Sequence, residues 1–438
     1  MDPLLIGLLV SLATIFVLFS GVSVAVGLLL VAAGFLLIFD GTRSLMMIPE
    51  VYFADLNSFT MLSIPMFIIM GAAIASTKAG ADLFEAFERW MTRVPGGLVV
   101  SNLGACALFS AMSGSSPATC AAIGKMGIPE MRKRGYSEEI AAGSIAAGGT
   151  LGILIPPSVT MIVYGIATET SIGRLFLAGV LPGIMLVAFF MIWTIYSAWR
   201  SGTLYNLSQR RYSLAERLEI MPRVLPFLLI IGGVLYIMYG GVATPSETAA
   251  VGALLAIIMA MIIYKMWQPR VLWTVFRDST KEAVMIMFII AAAGVFAYMM
   301  SSLFITQTIA QWISELDVNR WVLMGIINVF LLFAGFFLPP VAVILMTAPI
   351  LMPILLAAEF DPYWFAVILT INMEIGLITP PIGLNLYVIN SIAPDISLKK
   401  ILVGSLPYVL CMVTAIIVLC FFPGIATWLP TAVMGPAN

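Results

Sequence analysis

Apolar residues run in long blocks along this chain, separated by short polar stretches. Blocks of about 20 residues predict membrane-crossing helices rather than the amphipathic periodicity of a soluble fold. In the first half they fall near 3–20, 22–39 and 59–77. The next stretch, KAGADLFEAFERWMTRV (78–94), gathers its charges on one face and Leu83, Phe84, Phe87 and Trp90 on the other. It is expected to lie along the membrane interface. The segment 97–130 is too long for one crossing and is interrupted by SGSSP (113–117), which predicts a re-entrant hairpin. After the basic loop RKRG (132–135) come a broken helix at 138–168 and a crossing at 174–199.

The second half repeats this order. Crossings are expected near 224–241, 247–266 and 283–302, an interfacial arm at 303–319, and a hairpin at 321–357 that breaks at LPP (338–340). A broken helix at 362–392 and a last crossing at 400–422 follow. The chain therefore reads as two repeats, 1–200 and 222–438, joined by a polar loop at 201–221. The breaks carry the repeat most plainly. GTLGILIPPSVTMIVYG (149–165) and MEIGLITPPIGLNLYVI (373–389) both centre on Gly-x-x-x-Pro-Pro, 224 positions apart: Gly152 with Gly376, Pro156 with Pro380, Pro157 with Pro381. A proline pair removes two backbone donors and clashes with the preceding turn, so each helix must open there. The predicted fold is an all-α polytopic membrane protein of about ten crossings, two re-entrant hairpins and two broken helices.

Composition agrees: 61% of residues are hydrophobic and 10% charged, against roughly 25% charged in a soluble domain. The few charges set the orientation. Five crossings per half, an odd number, invert the second repeat. With the N-terminus outside, 18 of the 21 basic residues fall on the inside, Arg210 and Arg211 of the connecting loop among them, and only Arg43, Arg174 and Arg320 fall outside. The positive-inside rule then places both termini outside. The N-terminus runs straight into an apolar block without a basic leader or a small-residue cleavage site, so no cleavable signal peptide is expected.

The chain contains no His, and its four cysteines (106, 120, 411, 420) sit in apolar segments without metal-ligand spacing; they are expected to be free thiols. With few buried acids as well, no enzymatic nucleophile or metal centre is recognisable. The chemistry lies at the breaks. A half-helix that ends in the membrane presents free carbonyls, which suit a small hard cation; one that begins there presents N–H groups, which suit a carboxylate. Gly148, Gly149, Gly152 and Gly376 allow carbonyls to turn inward, and Ser110, Ser113, Thr150 and Thr379 add hydroxyl oxygens. Two cation sites follow, one per half; close helix packing is the other use of these small residues. Ser115 and Ser116, at a hairpin tip that opens a half-helix, together with Thr150, Asn372 and Glu374 at the breaks, are the candidate substrate contacts. Glu374 is the acid placed deepest in a membrane segment, and three roles are open to it: balancing a cation, taking a proton, or a structural carboxylate. PSETAAVG (245–252) reads as a structural helix start, with Pro, Ser and Glu at its positive end.

At these residues the chain resembles a known family. SAMSGSSPATCAAIGKMGIPEM (110–131), GGTLGILIPPS (148–158), PSETAAVG and EIGLITPPIGLNLYV (374–388) are similar to the large membrane subunit (DctM-like) of tripartite ATP-independent periplasmic (TRAP) transporters. The resemblance covers nearly the whole chain. It implies an elevator-type, Na⁺-coupled importer of an organic acid anion in the bacterial inner membrane. It also implies a small four-helix membrane subunit (DctQ-like), a periplasmic substrate-binding protein, no other cofactor and no nucleic acid. No small-subunit region precedes the first block, so that subunit is expected to be separate. By the same resemblance the first Na⁺ site falls on Ser110, Ser113, Gly152, Ile155 and Pro157, and the second on Gly335, Phe337, Gly376, Thr379 and Pro381, many through backbone carbonyls. The competing readings are a stand-alone ion-coupled anion carrier, a channel and a membrane enzyme. Inverted broken helices argue against a channel, and the missing nucleophile against an enzyme.

Overall fold

The computed structural model describes residues 2–201, 212–315 and 318–436; among them there is no strand. Arg210, Arg211 and parts of the 201–221 loop and the 303–319 arm lie outside the described residues.

Helices α1 (Pro3–Phe19) and α2 (Val24–Phe39) occupy the first two apolar blocks. Asp2 caps α1 by accepting a hydrogen bond from Leu4 N–H at 3.0 Å. The hydropathy pattern does not predict α3 (Met47–Leu56), a short helix whose acids and aromatics fall below any apolar-block criterion. It meets α4 (Ser63–Ala75, led in by a 3-10 turn at Phe59–Leu62) at a bend of 59°. The amphipathic arm is α5 (Ala79–Met91). Helices α6 (Gly97–Ser113) and α7 (Ser116–Lys133) form the first hairpin, reversing at Gly114 with a left-handed φ of 58°. The first broken helix is α8 (Glu138–Gly149), a 3-10 turn at Thr150–Ile153, and α9 (Val159–Ala167); α10 (Ile172–Ser201) follows.

The connecting loop holds a short helix, α11 (Leu214–Glu219), and the second half opens with α12 (Met221–Tyr239) and α13 (Pro245–Ile262). As PSETAAVG predicts, a helix starts there, and the structure adds a capping box in which Thr244 and Glu247 satisfy each other's backbone N–H. Helix α14 (Pro269–Ser302) begins 14 residues before the expected crossing at 283. The charges at Arg270, Arg277, Asp278, Lys281 and Glu282 mark where the apolar block ends, but Arg, Lys and Glu are good helix formers and the helix continues through them. Then come the arm α15 (Ile305–Glu315), the second hairpin α16 (Arg320–Phe337) and α17 (Pro340–Ala357), the second broken helix α18 (Pro362–Leu377) and α19 (Leu384–Ile392), and α20 (Leu398–Phe421). A terminal helix, α21 (Gly424–Met434), is also not predicted.

By length and composition seven described helices can cross a membrane, α10, α12, α13, α14, α16, α17 and α20, with the bent α3–α4 pair as an eighth. The outer surface is apolar: Phe16, Ile38, Tyr236, Val329 and Phe421 are each more than two-thirds exposed, which suits lipid and not water. This is a polytopic membrane protein.

The broken helices lie at the centre. Every residue from Ala141 to Leu154 is buried, as is every residue from Trp364 to Ile378. A helix buried all round has protein on every side, where non-helical backbone is tolerated. Trp364 anchors α18 by donating from Nε1 to the Leu419 carbonyl at 2.8 Å.

Candidate functional site

The first hairpin tip is a nest of hydroxyls. Gly114 N–H closes α6 onto the Ser110 carbonyl at 2.9 Å. The Ser110, Ser113 and Thr119 hydroxyls are buried together, with Ser113 Oγ 3.0 Å and Ser110 Oγ 3.4 Å from Thr119 Oγ1, which in turn donates to the Ser115 carbonyl at 3.0 Å. The break faces this tip. A methyl group on Gly152 would lie 2.7 Å from the Ser115–Ser116 backbone, and one on Gly114 would lie 2.9 Å from the Pro157 carbonyl. Ser110, Ser113, Gly152 and Pro157 thus converge. Ile155 shares the loop but turns its side chain toward Gly183 of α10. Ser158 fixes the far side: its hydroxyl donates to the Ile153 carbonyl at 2.6 Å and caps α9 by accepting from Met161 N–H at 3.2 Å.

The second tip meets the second break by a different contact. Any side-chain atom on Gly376 would collide with the Gly335 carbonyl, and Ile382 N–H donates to the Phe336 carbonyl at 3.2 Å. The Phe337 ring packs against Phe19 and Phe333, at centroid distances of 5.5 and 5.2 Å, so only its backbone remains for a ligand. Thr379 Oγ1 donates to the Ile375 carbonyl at 2.6 Å. Pro156 and Pro157 are buried, whereas Pro380 and Pro381 are exposed; both pairs contain a cis peptide bond.

The candidate substrate residues divide. Ser115 is partly exposed on a cavity wall. Ser116 is fully buried and donates from Oγ to Glu374 Oε1 at 2.7 Å, while Ile153 N–H donates to the same oxygen at 3.2 Å. Thr150 turns back on its own helix and donates to the Ala147 carbonyl at 2.5 Å. Asn372 donates to the Ile368 carbonyl at 3.0 Å and to Asn328 Oδ1 of α16 at 2.6 Å.

A cavity of about 470 Å³ lies between the two tips, with Ser115 and Ser116 on one side and Pro339 and Pro340 on the other. Its outer wall is α4 and the charged part of α14, including Thr274, Asp278 and Glu282. Sequence reasoning missed this wall; the signal available was the pair of acids four residues apart on one helix face. A larger cavity of about 650 Å³, lined by Asp55, Glu169 and Gly294 among others, touches neither tip nor break. The smaller cavity is the one with site chemistry. Ser113, Ser115, Ser116 and Thr160 bring hydroxyl side chains to its wall, and helices α7 and α17 begin beside it, at Ser116 and Pro340.

The family model for the tripartite ATP-independent periplasmic transporter, DctM component, matches residues 10–425. A C4-dicarboxylate TRAP transporter large permease protein of Pseudomonas aeruginosa is 38% identical, over 86% of this chain and 88% of that one. An isethionate TRAP transporter permease protein of Oleidesulfovibrio alaskensis, named DctMQ, is 30% identical over 92% of this chain and 63% of its own length. Among solved structures, the YdaH transporter of Alcanivorax borkumensis has the same overall fold (TM-score 0.67, 14% identity, 97% of this chain and 100% of that one). A membrane-embedded, all-helical permease subunit, not an enzyme, is the class that fold and site define. The chain belongs to the DctM component family of tripartite ATP-independent periplasmic transporters.

Proposed function

We infer that this chain is the large permease subunit of an importer that carries an organic acid anion across the bacterial inner membrane, driven by Na⁺. A separate small four-helix subunit completes the membrane part, and a periplasmic binding protein delivers the substrate. The observation that carries this reading is the pairing of each hairpin tip with a helix break at Gly152 and Gly376. Na⁺ is held at the first pair by Ser110 and Ser113 and by the backbone of Gly152, Ile155 and Pro157. At the second it is held by the backbone of Gly335, Phe337, Gly376 and Pro381, with Thr379. The anion sits between the tips, against Ser115 and the start of α7, with Ser116, Thr150, Asn372 and Glu374 forming the layer behind. The named relatives carry a C4-dicarboxylate and isethionate, both small organic anions.

Contacts across the chain support the inverted topology. Arg174 donates to the Gly435 and Pro436 carbonyls at 2.8 and 3.0 Å, joining two segments that the charge rule puts outside. Tyr264 donates to Asp82 at 2.6 Å and Arg132 pairs with Asp395 at 2.5 Å, each joining two segments that it puts inside. The cavity between the tips is walled by α14 at its charged, inside end, so this conformation faces inward. In the elevator we infer, α1–α5 and α12–α15 form the scaffold, and the hairpins, broken helices, α10 and α20 move as one body. Cations that close the tips over substrate cover polar groups that would otherwise cross the membrane unpaired.

The test is uptake into proteoliposomes holding this chain and its small subunit, with candidate organic acids, with and without an inward Na⁺ gradient and the cognate soluble protein. Uptake that requires both is expected. Uptake driven by Na⁺ without the soluble protein would remove the tripartite part of the reading, and uptake indifferent to Na⁺ would remove the coupling.

A further inference from the structure

Glu374 belongs to the second half of the chain, yet the hydrogen bonds it accepts come from the first. Its Oε1 receives Ser116 Oγ–H at 2.7 Å and Ile153 N–H at 3.2 Å, across 258 and 221 residues of sequence. Ser116 opens α7 at the hairpin tip; Ile153 ends the 3-10 turn of the facing break. One oxygen therefore ties together the two walls between which Ser110, Ser113, Gly152 and Pro157 converge. Both donors are buried and would lose their partner without it.

The tie runs one way. At the matching position of the first half stands Thr150, whose hydroxyl is spent on the Ala147 carbonyl of its own helix. The second tip is held within its own half, by Ile382 N–H on the Phe336 carbonyl.

We propose that Glu374 is a positioning residue that sets the geometry of the first cation site from the other repeat, so that ion binding in one half depends on a side chain of the other. This rests on the Na⁺-coupled reading above. Both bonds fall on a single oxygen, and Oε2 has no partner among the described residues. The site thus requires an acceptor at that point rather than a charge. Glutamine supplies one; alanine does not.

The experiment uses the full chain reconstituted with its small subunit. Hydrogen exchange is followed in peptides covering 113–119, 150–158 and 335–341, and Na⁺ is titrated in uptake. Glu374→Ala is expected to speed exchange in the first two peptides and raise the half-saturating Na⁺ concentration, each by about tenfold, with exchange in the third peptide within about twofold. Glu374→Gln stays within about twofold of the unsubstituted protein in both readouts. Ser116→Ala removes one donor and shifts both in the same direction by less, which keeps the test available where Glu374→Ala does not fold. Unchanged exchange at the first tip in Glu374→Ala, or Glu374→Gln matching Glu374→Ala, overturns the proposal. Uptake by the unsubstituted protein that ignores Na⁺ defeats the coupling reading alone, and exchange at the tip still decides the role of Glu374.

Discussion

At the residue scale, two glycines fix how closely tip and break approach. Gly152 abuts the Ser115–Ser116 backbone and Gly376 abuts the Gly335 carbonyl. These neighbours are main chain held in hydrogen-bonded turns, so they cannot step aside as the end of a side chain can. Gly152→Ala or Gly376→Ala is expected to cost about 1–3 kcal/mol of stability and to raise the Na⁺ requirement for uptake. Gly232 of α12 has nothing within 4 Å of the same added methyl, and Gly232→Ala is the matched control, expected to be neutral. Thermal melting and Na⁺ titration of the three variants check this; equal behaviour would mean that the close approach does not matter. The breaks were legible in the sequence because Pro-Pro abolishes donors wherever it stands. The Ser116–Glu374 contact was not, because nothing local to either residue encodes a partner 258 positions away.

At the element scale, the arm α5 is fastened on two sides. Toward α11–α13, Arg89 pairs with Glu219 at 3.2 Å, Arg223 approaches Asp82 at 3.7 Å, and Tyr264 donates to Asp82. Toward the base of the first hairpin, Glu88 receives Arg134 and also the Tyr212 hydroxyl at 3.2 Å. Glu88 is 7% exposed, so removing its partner leaves a nearly buried charge. Arg134→Gln is expected to cost on the order of 2–3 kcal/mol, and Glu88→Gln less, since Arg134 keeps Glu130 at 2.9 Å. The double variant is expected to recover part of the loss, a coupling that melting of all four proteins measures; strict additivity would deny the contact. The exposed Arg132–Asp395 pair behaves differently. Arg132 holds the Asp395 carboxyl below its ordinary range, so its contribution is present above the unfolded-state value and is lost as pH falls through the lowered one, below about pH 4. The amphipathy of α5 was readable from its spacing, whereas the reach of α14 was not. Its charges end the apolar block but not the helix, and those same charges turn out to wall the cavity.

At the scale of the whole molecule, element order was enough to read an all-α polytopic membrane protein, because the membrane forbids most alternatives; seven described helices, or eight with the bent pair, are long and apolar enough to cross it, against the ten or so expected. What element order could not give is which elements the tips rest against. Here α4 and α14 supply that information. Gly71 of α4 lies against the Ser113 carbonyl, and α14 lines the tip cavity with Thr274–Ile286 and the larger, opposite cavity with Ile290–Ala297. If the hairpin body slides along this wall, the tip must leave α4 during each cycle. Ala72 and Ser115 both line the tip cavity from opposite bodies. With the four native cysteines replaced by alanine, Ala72→Cys with Ser115→Cys, bridged by a short bifunctional maleimide, is expected to lower uptake by about tenfold or more. Ala72→Cys alone, treated alike, is expected to keep most of it, and Ser115→Cys alone sets the loss caused by modifying the proposed substrate contact, below which the bridged pair must fall. Full transport by the bridged Ala72–Ser115 pair would mean that the tip and α4 stay together throughout the cycle, and the rigid-body slide would have to be abandoned for local opening of the hairpins.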